Sequence, residues 1–440
     1  VARTGEYVRH DEAGGLTTSD GAIVLERLRS LPAGSELLTL AESHEGSIEL
    51  VGGAVRDIML GLAPRELDVI VEANARQLAS SLAKQLGGEA VFHERFGTAS
   101  VQAGGASVDI ATIRSESYRS PGMLPDVGPG TPENDLRRRD FSVNAIAVSL
   151  AGERAGQVRA AQGALEDLVA RRLRVLHDAG FSDDPTRMLR LVRYAVRLGF
   201  EVEPHTAELF AAALDGGVLK TVTGQRLGAE LRLALAEADP PSSLAELERL
   251  GVLRAWQPGV SFDVAVVRAA LEILPRDGSP RVMLVASLLL ELARKLDREE
   301  TEPAMRGFLY DLELPAGEAD RAFAVAVGAV FAMDHVDSID TTSDLLELTL
   351  GTPMESLALA AAASELEDGP GSYARRLVEE WLGRLRHIAL QITGDDLIAA
   401  GVAEGPEVGV RLEESYRLLL EERIEPGRET ELRAALEARV

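Results

Sequence analysis

The chain of 440 residues has no cysteine, which excludes disulfides, a thiolate metal site and a cysteine nucleophile. A reducing cytoplasm suits such a protein, and that location is expected. Long apolar runs are missing too: the longest, residues 282–290 and 322–333, fall short of the roughly 20 residues a bilayer crossing needs. Residues 1–16 are polar and show no apolar signal core, so a soluble, unexported protein with no membrane partner is expected. Aromatics make up only 4%, while Ala, Leu and Arg abound, a composition that favours helices over large antiparallel sheets. Nor is there an excess of positive charge. The formal net charge of −25 argues at first against a nucleic-acid partner, because phosphates are met by basic surface. One segment departs from that average: residues 137–199 hold twelve Arg against seven acids, a local balance of +5. Solvated helix faces would carry such charge equally well.

A hydrophobic content of 46% is enough for several cores, and the length suggests roughly three domains. Up to residue 150 the pattern is mixed α/β. Strands are expected at 47–51, 67–71, 99–102 and 107–113, helices at 54–60 and 75–86, and a Gly- and Pro-marked loop at 121–132. A sheet of about five strands with two helices follows. Beyond residue 165 the spacing is helical almost throughout. Asp183-Asp184-Pro185 offers a capping carboxylate ahead of a first-turn proline, followed by Met188, Leu189, Val192, Ala195 and Val196 on one face. Breaks fall at 240–241, 258–259, 275–280 and 369–371, and domain limits are expected near 150 and 236.

Residues 50–71, LVGGAVRDIMLGLAPRELDVIV, are the richest segment. Gly52 and Gly53, between a strand and a helix, let the backbone approach a phosphate, and Arg56 in the first turn could take a further oxygen. Most Gly-Gly turns are simply tight turns, so this feature needs company. Glu66 and Asp68 supply it. Residues two apart on a strand share a face and can jointly hold a hard cation, and Asp109 at the head of VDIATIR offers a third carboxylate. Such a set suits phosphoryl transfer with two metal ions, one at the attacking 3′ hydroxyl and one at the leaving pyrophosphate. A solvated acidic strand face is the plain alternative. Further on, LRRRDFSVNAIA (136–147) places Arg138 and Arg139 where they could bind a triphosphate and Asp140 where it could accept from a ribose hydroxyl. Asp184 and Arg187 are neighbours on one helix face, which by default makes an intrahelical pair. As an acceptor beside a donor, the same two side chains would admit cytosine and adenine and reject guanine and uracil.

Taken together, these stretches resemble the class II tRNA nucleotidyltransferases, the CCA-adding enzymes with their CC-adding, A-adding and poly(A) polymerase relatives. The resemblance runs through LVGGAVRD (50–57), ELD (66–68), FGTASV (96–101), VDIATIR (108–114), RRDFSVNAIA (138–147), GALEDL (163–168), DDPTRMLRLVRYAVRLGF (183–200) and QRLGAEL (225–231). A tail match follows at TGDDLIAAGVAEGPEVG (393–409).

It implies an α+β protein: a small polymerase-β-like sheet head at 22–150, then an all-helical neck at 151–236 and a body and tail at 237–440 that bind tRNA. Glu66 and Asp68 match the metal ligands, with two Mg²⁺ ions expected. Arg138, Arg139, Asp140 and Asn144 match the ribose and triphosphate motif. Asp184 and Arg187 match the nucleotide-selecting pair, with Arg190, Arg193, Arg226 and Glu230 in support. CTP and ATP are the implied substrates, and the implied partner is the tRNA acceptor stem and 3′ end.

The family usually has Asp where this chain has Glu66, and the extra methylene shifts the carboxylate; accommodation is expected, since the other motif positions keep their types. His10-Asp11 and His177-Asp178 lack neighbouring ligands, so no HD phosphohydrolase activity is expected. Complete CCA addition leads the readings. A CC-adding or A-adding specialist, a poly(A) polymerase and an inert RNA-binding relative are the alternatives, whereas an oxidoreductase would need a GxGxxG turn that is missing. The loop at 115–136, where the relatives differ, is not obviously deleted.

Overall fold

A computed structural model describes residues 18–93, 97–295, 299–339, 341–368 and 373–438. Phe96 of the FGTASV match, the polar start of the chain and the expected break at 369–371 lie outside the described residues. The chain divides into two compact units, one ending at Thr223 and one starting at Gly224.

In the first unit the strands are β1 (Ile48–Val51), β2 (Leu67–Val71), β3 (Glu89–His93), β4 (Thr98–Ala103), β5 (Ala106–Thr112), β6 (Arg114–Ser117), β7 (Asp126–Pro129), β8 (Ile146–Ser149) and β9 (Val158–Ala160). Seven form one sheet of order β3-β4-β5-β2-β1-β8-β9, while β6 and β7 pair separately. Only β2 and β5 run parallel within that sheet; its other neighbours are antiparallel. The sheet is thus larger than the five strands expected. β3 was not foreseen because its burial alternates around a mostly exposed edge, and the expected loop at 121–132 contains β7. Pro129 is tolerated there because it ends a strand in a two-stranded ribbon, where its missing N–H breaks no central ladder.

The helices of this unit are α1 (Thr18–Arg29), α2 (Gly34–Ser43), α3 (Gly53–Met59), α4 (Ala75–Leu86), α5 (Pro132–Arg137), α6 (Ala164–Val169), α7 (Gly180–Asp183), α8 (Thr186–Leu198) and α9 (Pro204–Asp215). α4 shows how local chemistry sets limits. The Asn74 side chain accepts from Gln77 N–H, Gly87 closes the helix at φ 66°, and Leu78, Ala79, Leu82 and Ala83 form the buried stripe. Full burial of each leucine contributes about 2 kcal/mol. Beneath the end of β1, the apolar cluster of Val51, Ile70, Ile113, Leu136, Ala145 and Ala147 gives the turn after β1 a rigid floor. A short parallel pair, Arg172–Leu173 with Glu201–Val202, interrupts the helical run expected beyond residue 165.

The second unit is helical throughout its described residues, from α10 (Gly224–Leu235) to Arg428–Glu437. Its longest helix, Glu318–His335, buries Ala322, Val325, Ala326, Ala329 and Ala332. Such small residues permit close approach: a Cβ on Gly328 would meet Ser356 Oγ at 2.9 Å, and that hydroxyl donates to Val325 O at 2.8 Å. Towards the C-terminus, Ile392, Leu397 and Ala435 form a small core, and buried Glu431 accepts from the backbone N–H groups of Gln391 and Gly427. Among the described residues no helix is long and apolar enough to cross a membrane.

Candidate active site

Strand register assembles an acidic centre. β2 and β5 set Asp68 directly beside Asp109, and Asp68 also faces Val51, the residue before Gly52. Glu66 lies in the bend just ahead of β2 rather than in the strand. One oxygen from each of the three carboxylates lies within 4.8 Å of the others, Glu66 being the most exposed. Burial, reinforced by the Glu66 charge, pushes the Asp68 carboxyl up to about 7. Burial and the Asp109 charge raise Glu66 too. Crowded oxygen donors that resist sharing negative charge are suited to a hard divalent cation, and the three residues fit magnesium on that ground.

Gly52 has φ 72° and ψ −138°, a conformation open to glycine. A Cβ there would meet Arg139 Nη1 at 2.7 Å and Asp68 Oδ2 at 3.4 Å. The missing side chain is therefore what lets the Arg139 guanidinium lie against the turn beside Asp68. Gly53 opens α3, as the Gly-Gly pattern implied.

The arginine motif is held from below by a residue that sequence reasoning passed over. Asp135 on α5 is fully buried; its Oδ1 accepts from Arg138 Nε at 2.9 Å and Nη2 at 2.5 Å, and its Oδ2 from Arg139 Nη2 at 3.0 Å. Burial alone would raise its carboxyl, but the two guanidinium groups hold it below the usual carboxylate range. Glu116 of β6 takes Arg138 Nη1 at 2.7 Å, so the hairpin is tied to the same group. The spacing of Asp135 to Arg138 and Arg139, three and four residues, was the available signal.

Asp140 and Asn144 come together. Asp140 Oδ1 accepts from Asn144 Nδ2 at 2.9 Å and from the Phe141 N–H at 2.8 Å, and its Oδ2 from Arg190 Nη1 at 3.1 Å. Against the effect of burial, Arg190 and the Asn144 hydrogen bond keep this carboxyl low. Asp167 of GALEDL is a second buried brace, accepting from Ser142 Oγ and Arg174 Nε, each at 2.8 Å. Arg56, expected at a phosphate, is 1% exposed and donates to Asn144 and Asp57, so it braces the ribose motif from inside.

On α8, Arg187 is 3% exposed; Nη2 donates to the Arg138 carbonyl at 2.9 Å, while Nη1 has no hydrogen-bond partner among the described residues. Asp184 Oδ1 serves the helix start, accepting from Thr186 N–H at 3.2 Å and Thr186 Oγ1 at 2.7 Å. That is the capping carboxylate the sequence suggested. The Arg193 guanidinium lies 4.7 Å from the centre of the Tyr194 ring. Arg226 and Glu230 lie on α10 of the second unit, Glu230 buried.

The arginines of the basic segment at 137–199 prove to be mostly half-buried, with Arg187 and Arg193 buried. Of its twelve arginines only Arg137, Arg154 and Arg171 are exposed. Arg159 pairs with Glu49, Arg174 with Asp167 and Arg197 with Asp57. A charge count along the chain cannot see these partners.

Residues 48–174 match the family described as the Poly A polymerase head domain. The A-adding tRNA nucleotidyltransferase of Geobacter sulfurreducens is 31% identical over 396 residues, covering 84% of this chain and 43% of that protein. The CC-adding tRNA nucleotidyltransferase of Deinococcus radiodurans is 38% identical over 234 residues, 53% of this chain and 60% of that one. The chain spans half or less of the length of the A-adding relatives it matches. Among solved structures, the Thermotoga maritima CCA-adding enzyme complexed with tRNA_CCA aligns with a TM-score of 0.74 at 25% identity, over 94% of this chain and 97% of that one.

Proposed function

We propose, from the chain's similarity to the Poly A polymerase head domain and to tRNA nucleotidyltransferases, an enzyme that adds CMP and AMP to the 3′ end of tRNA without a nucleic-acid template. The observation that carries this reading is the convergence of Glu66, Asp68 and Asp109 beside Arg139 and the Gly52 turn. In the reaction, the 3′ oxygen of the tRNA bonds to the α-phosphorus of the incoming CTP or ATP and the bond to the pyrophosphate oxygen breaks; the hydroxyl proton is taken up at the carboxylate cluster. Glu66, Asp68 and Asp109 would hold magnesium, which when bound supplies charge neutralisation at the attacking and leaving oxygens. Arg138 and Arg139, fixed by Asp135, face the triphosphate, while Asp140 and Asn144, buried and hydrogen-bonded to Arg190, Arg56 and each other, support the ribose side of the site from within. Arg187 Nη1 supplies the donor of the base-reading pair and Asp184 the acceptor.

Within this reading the head takes in the whole seven-stranded sheet, including β9 (Val158–Ala160), and so runs past the expected limit at 150, with the helical neck, body and tail after it. The cytoplasm, where tRNA is matured, is the proposed location. Relatives named for A addition or CC addition alone favour one second reading, a specialist with the same site.

The test offers tRNA ending before CCA, after C and after CC, with each nucleoside triphosphate separately and Mg²⁺. Stepwise CTP, CTP and ATP addition is expected. Addition at only some of these ends would identify a specialist, and GTP or UTP used as well as CTP would sink the Asp184 and Arg187 assignment.

A further inference from the structure

A closed ring of side chains joins the Gly52-Gly53 turn to the helix that starts with the base-reading pair. From α8, Arg197 Nη2 donates to Asp57 Oδ2 at 2.7 Å. Asp57 Oδ1 accepts from Arg56 Nε at 2.8 Å and Nη2 at 2.6 Å. Arg56 Nη1 donates to Asn144 Oδ1, and Asn144 Nδ2 donates to Asp140 Oδ1 at 2.9 Å. Arg190 then closes the circuit back to α8 through Asp140 Oδ2 at 3.1 Å. Arg190 and Arg197 are seven residues apart, about two helical turns, and so share one face.

Four of its six members lie in the interior, Arg56 1% exposed, Asp57 2%, Asn144 5% and Asp140 7%, while Arg190 and Arg197 on α8 are half-buried. Buried and satisfied networks of this kind contribute little net stability compared with apolar packing, but they fix geometry because each member has few alternatives. What this ring fixes is the placement of α8 against α3. The first turn of α8 carries Arg187, and the N-terminus of α3 is the Gly-Gly turn. A nucleotide held at both places spans the two helices, so their separation decides whether base and phosphates can be met at once.

We propose that the Asp57–Arg197 ion pair is a positioning device for nucleotide selection: it holds α8 at the distance from the Gly-Gly turn at which only a base matching Asp184 and Arg187 brings its α-phosphate to the acidic centre. Neither residue touches the nucleotide. This rests on the reading of the site as a nucleoside-triphosphate pocket.

Arg197→Gln is the main variant, because the Arg197 side chain keeps 18% exposure and lies in the last turn of α8. Asp57→Asn, Arg197→Lys and the double variant Asp57→Asn/Arg197→Gln accompany it. For CTP, ATP and UTP, kcat and KM are measured on tRNA ending before CCA and after CC, together with the melting temperature. The preference for CTP over UTP should fall about tenfold in Arg197→Gln, the scale of coupling between contacting residues. KM for CTP should rise while the melting temperature moves only a few degrees. Arg197→Lys should recover most of the preference, and the double variant should be no worse than the more affected single one. An unchanged preference in a folded Arg197→Gln overturns the inference. So does an equal loss for all nucleotides that tracks a lowered melting temperature. A wild-type protein that adds no nucleotide at all removes the proposed function first, and the inference with it.

Discussion

The first unit holds 24 Lys and Arg against 31 Asp and Glu, a balance of −7, and the second 22 against 40, a balance of −18. Placement separates them more than number does. In the first unit Asp57, Asp135, Asp140 and Asp167 are buried, and each holds one or two arginines. In the second, many ion pairs lie along helix faces: Arg249 with Glu246, Arg306 with Glu302, Arg384 with Glu380 and Arg433 with Glu429. Exposed pairs of that sort are worth a few tenths of a kcal/mol and yield to salt, whereas a buried carboxylate fixes the arginines around it and is costly to remove. The candidate site therefore lies among organised charge in the less acidic unit.

The largest contrast should appear in activity. Asp109→Ala should lower nucleotide addition at least about a thousandfold, the scale seen when one member of a catalytic unit is lost. Arg249→Ala, outside the site, should leave the rate on the same tRNA within about twofold, as expected of a surface substitution. A comparable loss in both would erase the distinction between the units.

Stability should divide the same way. Asp135→Asn leaves Arg138 and Arg139 without their buried counter-charge and should cost about 3 kcal/mol in urea unfolding. Glu246→Gln should cost less than about 0.5 kcal/mol. Similar costs would mean that burial does not govern the worth of these pairs.

Acid should reach the first unit through the same carboxylates. Asp135 and Asp140 are held below their ordinary values in the folded protein, so they bind protons more readily once it unfolds. Their contribution is present above the usual carboxylate pKa and fades as pH falls through the lowered values. The acid unfolding midpoint should accordingly lie at higher pH in Asp135→Asn than in wild type, by circular dichroism. An unchanged midpoint would remove Asp135 from the acid response.

The smallest effect concerns the second unit. Moderate salt shortens the reach of exposed charge to a few ångström, and with −18 to screen, raising NaCl from about 50 to about 500 mM should lift the melting temperature of its transition by a few degrees. A fall would show that its surface pairs outweigh its self-repulsion.

Much of the fold could be read from the chain. The limits of β2 and α4 match the expected 67–71 and 75–86 because alternation, an Asn cap and a closing glycine are all local signals. β3, β6, β7, β8 and β9 escaped: an exposed edge and a Gly-Pro ribbon lack the apolar pattern that marks a strand, and the short buried run of β8 has no period that tells a strand from a helix. Glu66, Asp68 and Asp109 were legible from residue type and spacing, and the parallel pairing of β2 with β5 brings them together. Arg197 and Asp57 were not, because 140 residues separate them. Arg56 illustrates the same limit from the other side: its place after two glycines suggested a phosphate, but burial turned it inward to Asn144 and Asp57.

Asp68→Ala against wild type is the most direct comparison, on tRNA ending before CCA with labelled CTP, ATP and Mg²⁺ and products resolved to single nucleotides, with circular dichroism on the same samples. Nucleotides should be added by wild type alone, at matching folded content. Equal addition by a folded Asp68→Ala protein would contradict the acidic centre as the site of catalysis.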